Sequence, residues 1–118
     1  MDNGWIGIAE HPIAAGDAPV IIVWHVYSGV MVERRDHAAA NRFMTHWQEI
    51  DAGAWIDAQE RTPTKEDADE YDCVISQNQW GDIAMAGWHR FEQETSLVRW
   101  QHPPSPPHNF RELRNKAK

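Results

Sequence analysis

With 118 residues and a formal net charge of −7, the chain has the size of one compact domain, or of two very small ones that share a core. The negative charge argues against nonspecific binding to nucleic acid or to anionic membranes. Seven Trp residues stand beside only two Tyr and three Phe, so a few large side chains can form much of the core.

The charge distribution and the cysteine content narrow the protein class further. Residues 1–53 carry a net charge of −4, residues 54–104 of −6 and residues 105–118 of +3. The single cysteine, Cys73, allows no intrachain disulfide bond, which is typical of a reducing cytoplasm. The first residues show no basic segment followed by an apolar one, so we expect no secretory signal. No apolar run approaches the roughly 20 residues that span a membrane, so we expect no membrane partner.

Matching residues indicate that the chain contains two copies of one unit. The matches are Trp5-Ile6 with Trp55-Ile56, Gly29 with Gly81 and Trp47 with Trp100, at offsets of 50, 52 and 53 positions. The offset grows in single steps in one direction, as in a duplication with one-residue insertions. We therefore predict repeat one at residues 5–50 and repeat two at residues 55–104, within a single domain spanning residues 1–104. The four matched Trp residues are its expected buried anchors, and the two glycines its expected turns.

In repeat one, three segments have the composition of β-strands. Residues Val20 to Tyr27 are rich in Val, Ile, Trp and Tyr, and a second strand should follow a turn at Ser28-Gly29. A third strand is expected over Met44 to Glu49. Between the second and third strands, Asp36 can cap a short helix near residues 37–43.

Repeat two shows the same order of elements. Strands are expected at Tyr71 to Ser76, Asp82 to Trp88 and Leu97 to His102, with a turn over residues 77–81. Because a three-stranded unit alone is marginally stable in water, the two units are expected to share one core. The predicted fold is therefore mainly β, a β-rich α+β protein made of two pseudo-symmetric, antiparallel three-stranded units.

Residues 105–118 are set apart as a proline-rich, basic tail. The run Pro103-Pro104-Ser105-Pro106-Pro107 favours a polyproline II conformation. After it, Asn109 and Glu112 have the spacing of a helix N-cap pair, which indicates a short helix near residues 109–117. The segment is either a docked helix or disordered, and the sequence leaves both alternatives open.

Short motifs in both repeats resemble a small family of bacteriophage and prophage proteins, catalogued as domain of unknown function 551. Its units open with Trp-Ile, continue with a proline, a Val/Leu-rich strand and a glycine turn, and close with Thr-His-Trp and a proline-rich end. The matching residues are Trp5-Ile6, Pro12, Val20 to Val23, Gly29 and Thr45-His46-Trp47, then Trp55-Ile56, Pro63, Val74-Ile75, Gly81, Trp100 and Pro103-Pro104. The chain departs from the pattern at Arg99 and at Gln48-Glu49-Ile50. The resemblance implies a phage or prophage origin and brings no established activity.

Motifs for catalysis, cofactors and metals are weak. The seven histidines and Cys73 fit no compact metal-ligand spacing. His46 has no nucleophile motif such as Gly-x-Ser-x-Gly beside it, and repeat two has Arg99 in its place. Neither Gly-x-Gly-x-x-Gly nor a P-loop occurs. We therefore expect no catalytic, cofactor-binding or metal-binding residues, with an enzyme or metal-binding domain that uses the histidines as the alternative.

Five carboxylates in seven positions form an acidic run, which consists of Glu66, Asp67, Asp69, Glu70 and Asp72. A solvated loop that leads into a strand explains such a run. A sharper interpretation is a recognition surface for a basic protein, whose association it would accelerate. If the run is a loop, its first four carboxylates should accept substitution by Ser without loss of the fold.

Trp80 lies in the predicted turn beside Gly81, where an exposed aromatic side chain can act as a binding hot spot. These features together predict a small, non-catalytic phage or prophage accessory protein that acts by protein–protein binding in the host cytoplasm. In its sharper form it inhibits a host defence system, as an anti-CRISPR protein does, by binding a protein with a basic surface and not nucleic acid itself. An acidic mimic of nucleic acid is a second alternative.

Overall fold

The computed structural model describes residues 4–16, 18–38 and 40–117. It confirms the mainly β prediction, with two four-stranded antiparallel sheets and a few short helices. The chain divides into two compact units: the first comprises Met1–Ile50 with Pro104–Lys118, and the second comprises Asp51–Pro103. Within the described residues, no helix is both long enough and apolar enough to cross a membrane.

The first unit is built on one antiparallel sheet. Its strands are β1 (Ile6–Gly7), β2 (Val20–His25), β3 (Gly29–Arg34) and β4 (Met44–Gln48), in the order β1-β4-β2-β3. Two helices accompany the sheet, α1 (Arg35–Ala38) and α2 (Phe110–Ala117). The apolar residues of β2 run without interruption from Val20 to Trp24, and those from Ile21 to Trp24 are buried on both faces of the sheet. Successive side chains point to opposite faces, and Ile21 and Val23 belong to one buried cluster. Its members are Ile21, Val23, Ala38, Met44 and Trp47.

The second unit has the same sheet. Its strands are β5 (Ile56–Asp57), β6 (Cys73–Asn78), β7 (Ile83–Gly87) and β8 (Leu97–Gln101), in the order β5-β8-β6-β7. Two 3-10 helices, Lys65–Asp67 and Trp88–Glu92, precede β6 and follow β7. The buried cluster consists of Val74, Ala86, Phe91 and Trp100. The prediction that the two repeats share one core stays a prediction.

Trp47 and Trp100 make the same kind of hydrogen bond in the two units. In the first unit, the indole Nε1 of Trp47 donates to the carbonyl oxygen of His11 at 3.1 Å. In the second unit, Nε1 of Trp100 donates to the carbonyl oxygen of Arg61 at 2.8 Å. Each buried Trp therefore fastens the loop that follows the first strand of its unit onto the sheet.

Each unit has four strands, so the prediction of three was wrong. The additional strands, β1 and β5, contain only two residues each, which is too short for a period of two to show in the sequence. They form because Ile6 pairs with Trp47 and Ile56 pairs with Trp100. The pairing depends on the position of a strand that lies more than 40 residues away, and local sequence carries no sign of it.

The register of the sheets also corrects the predicted alignment of the repeats. Ile22 pairs with Gln48, and Ile75 pairs with Gln101, so β2 and β6 differ by 53 positions and not by 52. The backbone has a positive φ at Gly29 (76°) and at Gly81 (92°), but the position equivalent to Gly81 is Ser28. The two glycine turns are therefore not equivalent but differ by one position. The two hairpins have the same length, but the residue with positive φ stands one position later in the first hairpin than in the second.

The helix expected near residues 37–43 begins earlier than predicted. Helix α1 spans Arg35–Ala38, and Ala39 lies outside the described residues. Asp36 lies inside the helix and does not cap it. The start is fixed by Arg35, whose backbone N–H donates to the carbonyl oxygen of Pro19 at 2.9 Å and whose Nε donates to that of Ala18 at 3.0 Å.

The tail packs on the first unit, and its helix matches the docked alternative. The ring of Phe110 lies edge-on to that of the buried Trp24, with 5.9 Å between centroids. Nε of Arg114 donates to the carbonyl oxygen of Val26 at 2.8 Å. Nearer the start of the tail, Nε1 of Trp5 donates to the carbonyl oxygen of Ser105 at 2.7 Å. These contacts hold the proline-rich, basic tail on the first unit.

Candidate functional site

Asp67, at the end of the first 3-10 helix, is bound within its own unit. Its Oδ2 accepts hydrogen bonds from the backbone N–H of Thr64 at 2.8 Å and from the Thr64 hydroxyl at 3.0 Å. Nη1 of Arg61 donates to the same oxygen at 2.9 Å. Nε2 of His102 lies 2.7 Å from Oδ1. The guanidinium carbon of Arg61 lies 4.8 Å from the centroid of the Trp100 ring, and the His102 ring meets Trp100 edge-on with 5.1 Å between centroids. Asp67 therefore holds two groups that contact this buried side chain.

The surroundings of Asp67 favour its charged form. The hydrogen bond from Arg61 holds the pKa of the carboxyl well below its usual range, and bonds from Thr64 and His102 act in the same direction. Only 11% of the side chain is exposed. This carboxylate is therefore a structural group and not a free contact for a partner.

Asp69 also forms hydrogen bonds within its own unit. Its Oδ1 accepts from the backbone N–H groups of Tyr71 at 2.9 Å and Cys73 at 3.0 Å, which shapes the turn that leads into β6. Burial raises the pKa of the Asp69 carboxyl and of the Cys73 thiol. The solvated loop on which the prediction about four Ser substitutions rests does not describe Asp67 and Asp69, because both carboxylates accept hydrogen bonds from the backbone. We expect substitution of these two residues to destabilise the fold.

Three of the five carboxylates of the acidic run are exposed, and they lie apart from Trp80. Glu66, Glu70 and Asp72 are exposed, and Asp72 adopts a left-handed backbone conformation with φ of 62°. They precede β6, whereas Trp80 follows its other end. A strand rises about 3.3 Å per residue, so the six residues of β6 separate them by roughly 20 Å. The structure does not bring these predicted site residues together.

Trp80 stands at the tip of the hairpin that joins β6 and β7, with 71% of its surface exposed. The turn beneath it is braced by Asn78, whose Oδ1 accepts from the backbone N–H groups of Trp80 and Asp82, both at 3.0 Å. Nε2 of Gln77 donates to the carbonyl oxygen of Gly81 at 3.0 Å. The hairpin therefore presents a large apolar ring on a rigid, hydrogen-bonded loop.

The register shows a counterpart of Trp80 that the sequence comparison missed. At an offset of 53 positions, Trp80 corresponds to Tyr27 and Asn78 corresponds to His25. Nδ1 of His25 accepts from the backbone N–H of Tyr27 at 3.2 Å, as Asn78 does for Trp80. Tyr27 packs on Phe43 with 5.3 Å between ring centroids and is only 44% exposed. An alignment shifted by one position would have found this pair.

The four predicted Trp anchors differ in burial. Trp5, Trp47 and Trp100 are buried, whereas Trp55 is half-buried. The guanidinium carbon of Arg99 lies 4.5 Å from the ring centroid of Trp55. Both side chains line an open groove of about 410 Å³ beside β5 and β8. In the first unit, the equivalent of Arg99 is His46, whose ring meets Trp5 edge-on.

The histidines do not form a cluster of metal ligands in the described residues, where no group of three His, Cys, Asp or Glu side chains could hold a metal ion. His46 lies 2.8 Å from the Thr45 hydroxyl through Nδ1. Burial lowers the pKa of His25, which suits its role as a hydrogen-bond acceptor in the turn. His37 and His89 are exposed.

Comparison of the chain with models of known protein families, with curated proteins and with solved structures gave no match. The resemblance to the phage family therefore stays a prediction that rests on the short motifs of the sequence.

Proposed function

We propose that this protein acts by protein–protein binding and that the hairpin tip carrying Trp80 is its principal contact. The observation that carries the proposal is the exposure of this ring, 71%, which is the largest among the bulky apolar side chains of the described residues. Neither hydrophobic cluster includes Trp80, so the ring adds little to the stability of the fold. Exposed Trp side chains of this kind are enriched among the residues that dominate binding energy.

The bracing of the turn supports this proposal. A loop that is ordered before binding loses less conformational entropy when a partner arrives, so more of the contact energy appears as affinity. Asn78 fixes the backbone on both sides of Trp80, and the backbone N–H of Gln79 donates to the carbonyl oxygen of Ser96 at 2.7 Å. The Trp80 ring thus projects from a turn whose backbone is hydrogen-bonded to the loop that contains Ser96.

The partner that we propose has a basic surface. Residues 54–104 carry a net charge of −6, and exposed carboxylates at Glu66, Glu70 and Asp72 would accelerate association with such a surface. In the sharper form of the proposal, the protein is a phage or prophage product that inhibits a host defence system in the cytoplasm of the host, as anti-CRISPR proteins do. The acidic character and the motif resemblance support this form.

Affinity capture from a bacterial lysate tests the proposal. The full chain is immobilised as wild type, as Trp80→Ala and as the matched control Tyr27→Ala, which truncates the equivalent aromatic residue of the first unit. We expect at least one host protein to be retained by the wild type and by Tyr27→Ala, and to be lost from Trp80→Ala. Truncating a hot-spot Trp weakens binding by about 2 kcal/mol or more, roughly thirtyfold.

The capture is repeated after nuclease treatment. Retention that survives nuclease supports direct protein binding. Retention that disappears with nuclease, or that is equal for wild type and Trp80→Ala, would contradict the proposed role of the hairpin tip.

A further inference from the structure

In the first unit, the Trp that is equivalent to Trp55 contacts the tail of the chain. There, Nε1 of Trp5 donates to the carbonyl oxygen of Ser105 at 2.7 Å. Ser105 stands in the middle of the run Pro103-Pro104-Ser105-Pro106-Pro107, and Pro107 is fully buried. The first unit therefore gives a precedent within this chain: a Trp at this position donates to a backbone carbonyl of a proline-rich run.

In repeat two, the equivalent indole is partly accessible to solvent. Trp55 is half-buried, and its Nε1 has no hydrogen-bond partner among the described residues. The chain has one proline-rich run, and its Ser105 accepts from Trp5. The residues that follow repeat one, Ile50 to Ala54, contain no proline. A site that is occupied in one copy of the unit is thus open in the other.

Arg99 adds donors to the open site. Its Nε donates to Oε1 of Gln77, and its guanidinium carbon lies 4.5 Å from the centroid of the Trp55 ring. These contacts hold the guanidinium plane in one orientation, while its terminal nitrogens have no hydrogen-bond or ion-pair partner in the described part of the chain. The groove of about 410 Å³ is also lined by the apolar residues Ala58, Leu97 and Val98 and by the polar residues Asp57, Gln59 and Thr95. Its volume lies in the range of ligand sites.

We propose that the groove formed by Trp55 and Arg99 binds a proline-rich segment of another polypeptide in the polyproline II conformation. The backbone carbonyl groups of this conformation form no internal hydrogen bonds. They can therefore accept from the Trp55 indole N–H and from the terminal N–H groups of Arg99, while the proline rings pack on the aromatic and apolar wall. The occupant is a partner's segment and not the tail of a second copy, because α2 fixes the tail of each copy on its own Trp24.

Titration of the full, ¹⁵N-labelled chain with a blocked synthetic peptide, Pro-Pro-Ser-Pro-Pro, tests the proposal. The indole N–H signal of Trp55, assigned by its disappearance in Trp55→Phe, is expected to move progressively and to saturate. Trp55→Phe keeps an aromatic ring but removes the donor, so the affinity should fall about tenfold, the upper range for one hydrogen bond. Arg99→Gln should weaken binding in the same direction. The matched control, Trp80→Phe, should bind as the wild type does.

Three outcomes would overturn the proposal. The first is a Trp55 signal that stays in place throughout the titration, and the second is an equal shift with the peptide Ala-Ala-Ser-Ala-Ala. The third is a Trp55 signal that moves with protein concentration before peptide is added, together with dimer formation in sedimentation, since the tail of a second copy would then be the occupant. Loss of host-protein capture in Trp80→Ala does not bear on this site, so the two proposals fail independently.

Discussion

Replacement of Asp67 by Ala should destabilise the protein by about 2 kcal/mol. The carboxylate caps a turn by accepting from the backbone N–H of Thr64, and loss of such a cap costs about 1 kcal/mol. Its bonds to Arg61 and His102 join side chains that are 48% and 54% exposed, so solvent screening limits them to about 1 kcal/mol together. The variant also releases Arg61 and His102, which contact the ring of Trp100.

Urea unfolding monitored by circular dichroism measures this difference, with Glu66→Ala as the matched control. Glu66 is the exposed neighbour of Asp67 in the acidic run, and its loss should change stability by less than about 0.5 kcal/mol. Both variants remove one negative charge from the same stretch, so a general charge effect would appear equally in both.

The destabilisation should depend on pH with a defined sign. The folded state depresses the pKa of Asp67, so the stabilisation is fully present above the unfolded pKa of about 3.9 and is lost as the pH falls towards the folded value. The gap between wild type and Asp67→Ala should therefore be full at pH 7 and should narrow below about pH 4. Equal stability of Asp67→Ala and Glu66→Ala at pH 7, or a gap unchanged at low pH, would refute the structural role of this carboxylate.

Two further predictions concern the buried Trp residues and the first hairpin. Trp47→Ala and Trp100→Ala should each cost about 3–5 kcal/mol, because the rings are only 6% and 0% exposed; unchanged thermal melting in both would place these rings on the surface. His25→Asn introduces the acceptor that repeat two uses at the equivalent turn and removes a titrating group. Since burial lowers the folded pKa of His25, its contribution to stability is present above the unfolded pKa of about 6.5 and is lost as the pH falls through the folded value. Melting curves between pH 7.5 and 5 should therefore decline less in His25→Asn than in the wild type, and identical declines would contradict the assignment.

His46 and Arg99 occupy equivalent positions in the sheets of the two units but make different contacts. In the first unit, a His ring meets Trp5 edge-on, and the indole N–H is taken up by the tail. In the second, a guanidinium lies against Trp55 and the groove stays open. A substitution that departs from the repeat pattern thus coincides with the change from a covered site to an accessible one.

The sequence by itself determined the elements whose causes are local. Strands β2 and β4 follow from β-branched and aromatic residues, and the duplication is readable because Trp47 and Trp100 each close a unit. In both cases neighbouring residues set the backbone conformation, so a window of a few positions holds the information. The helix over Phe110–Ala117 was one of two alternatives that the sequence left open, and its contact with Trp24 decided between them. Oδ1 of Asn109 has no hydrogen-bond partner among the described residues, so the predicted N-cap does not form.

Only the tertiary structure decided which polar and aromatic groups are free. Asp67 resembles any other carboxylate of the acidic run in the sequence, but His102, 35 positions away, lies against it. Trp5 and Trp55 open matching units, but Ser105 reaches Trp5 alone. These contacts join residues that are distant in the chain, and the energies that select them arise only after the strands have paired. Residue type indicates what chemistry a side chain can do, whereas the packing decides whether it remains available.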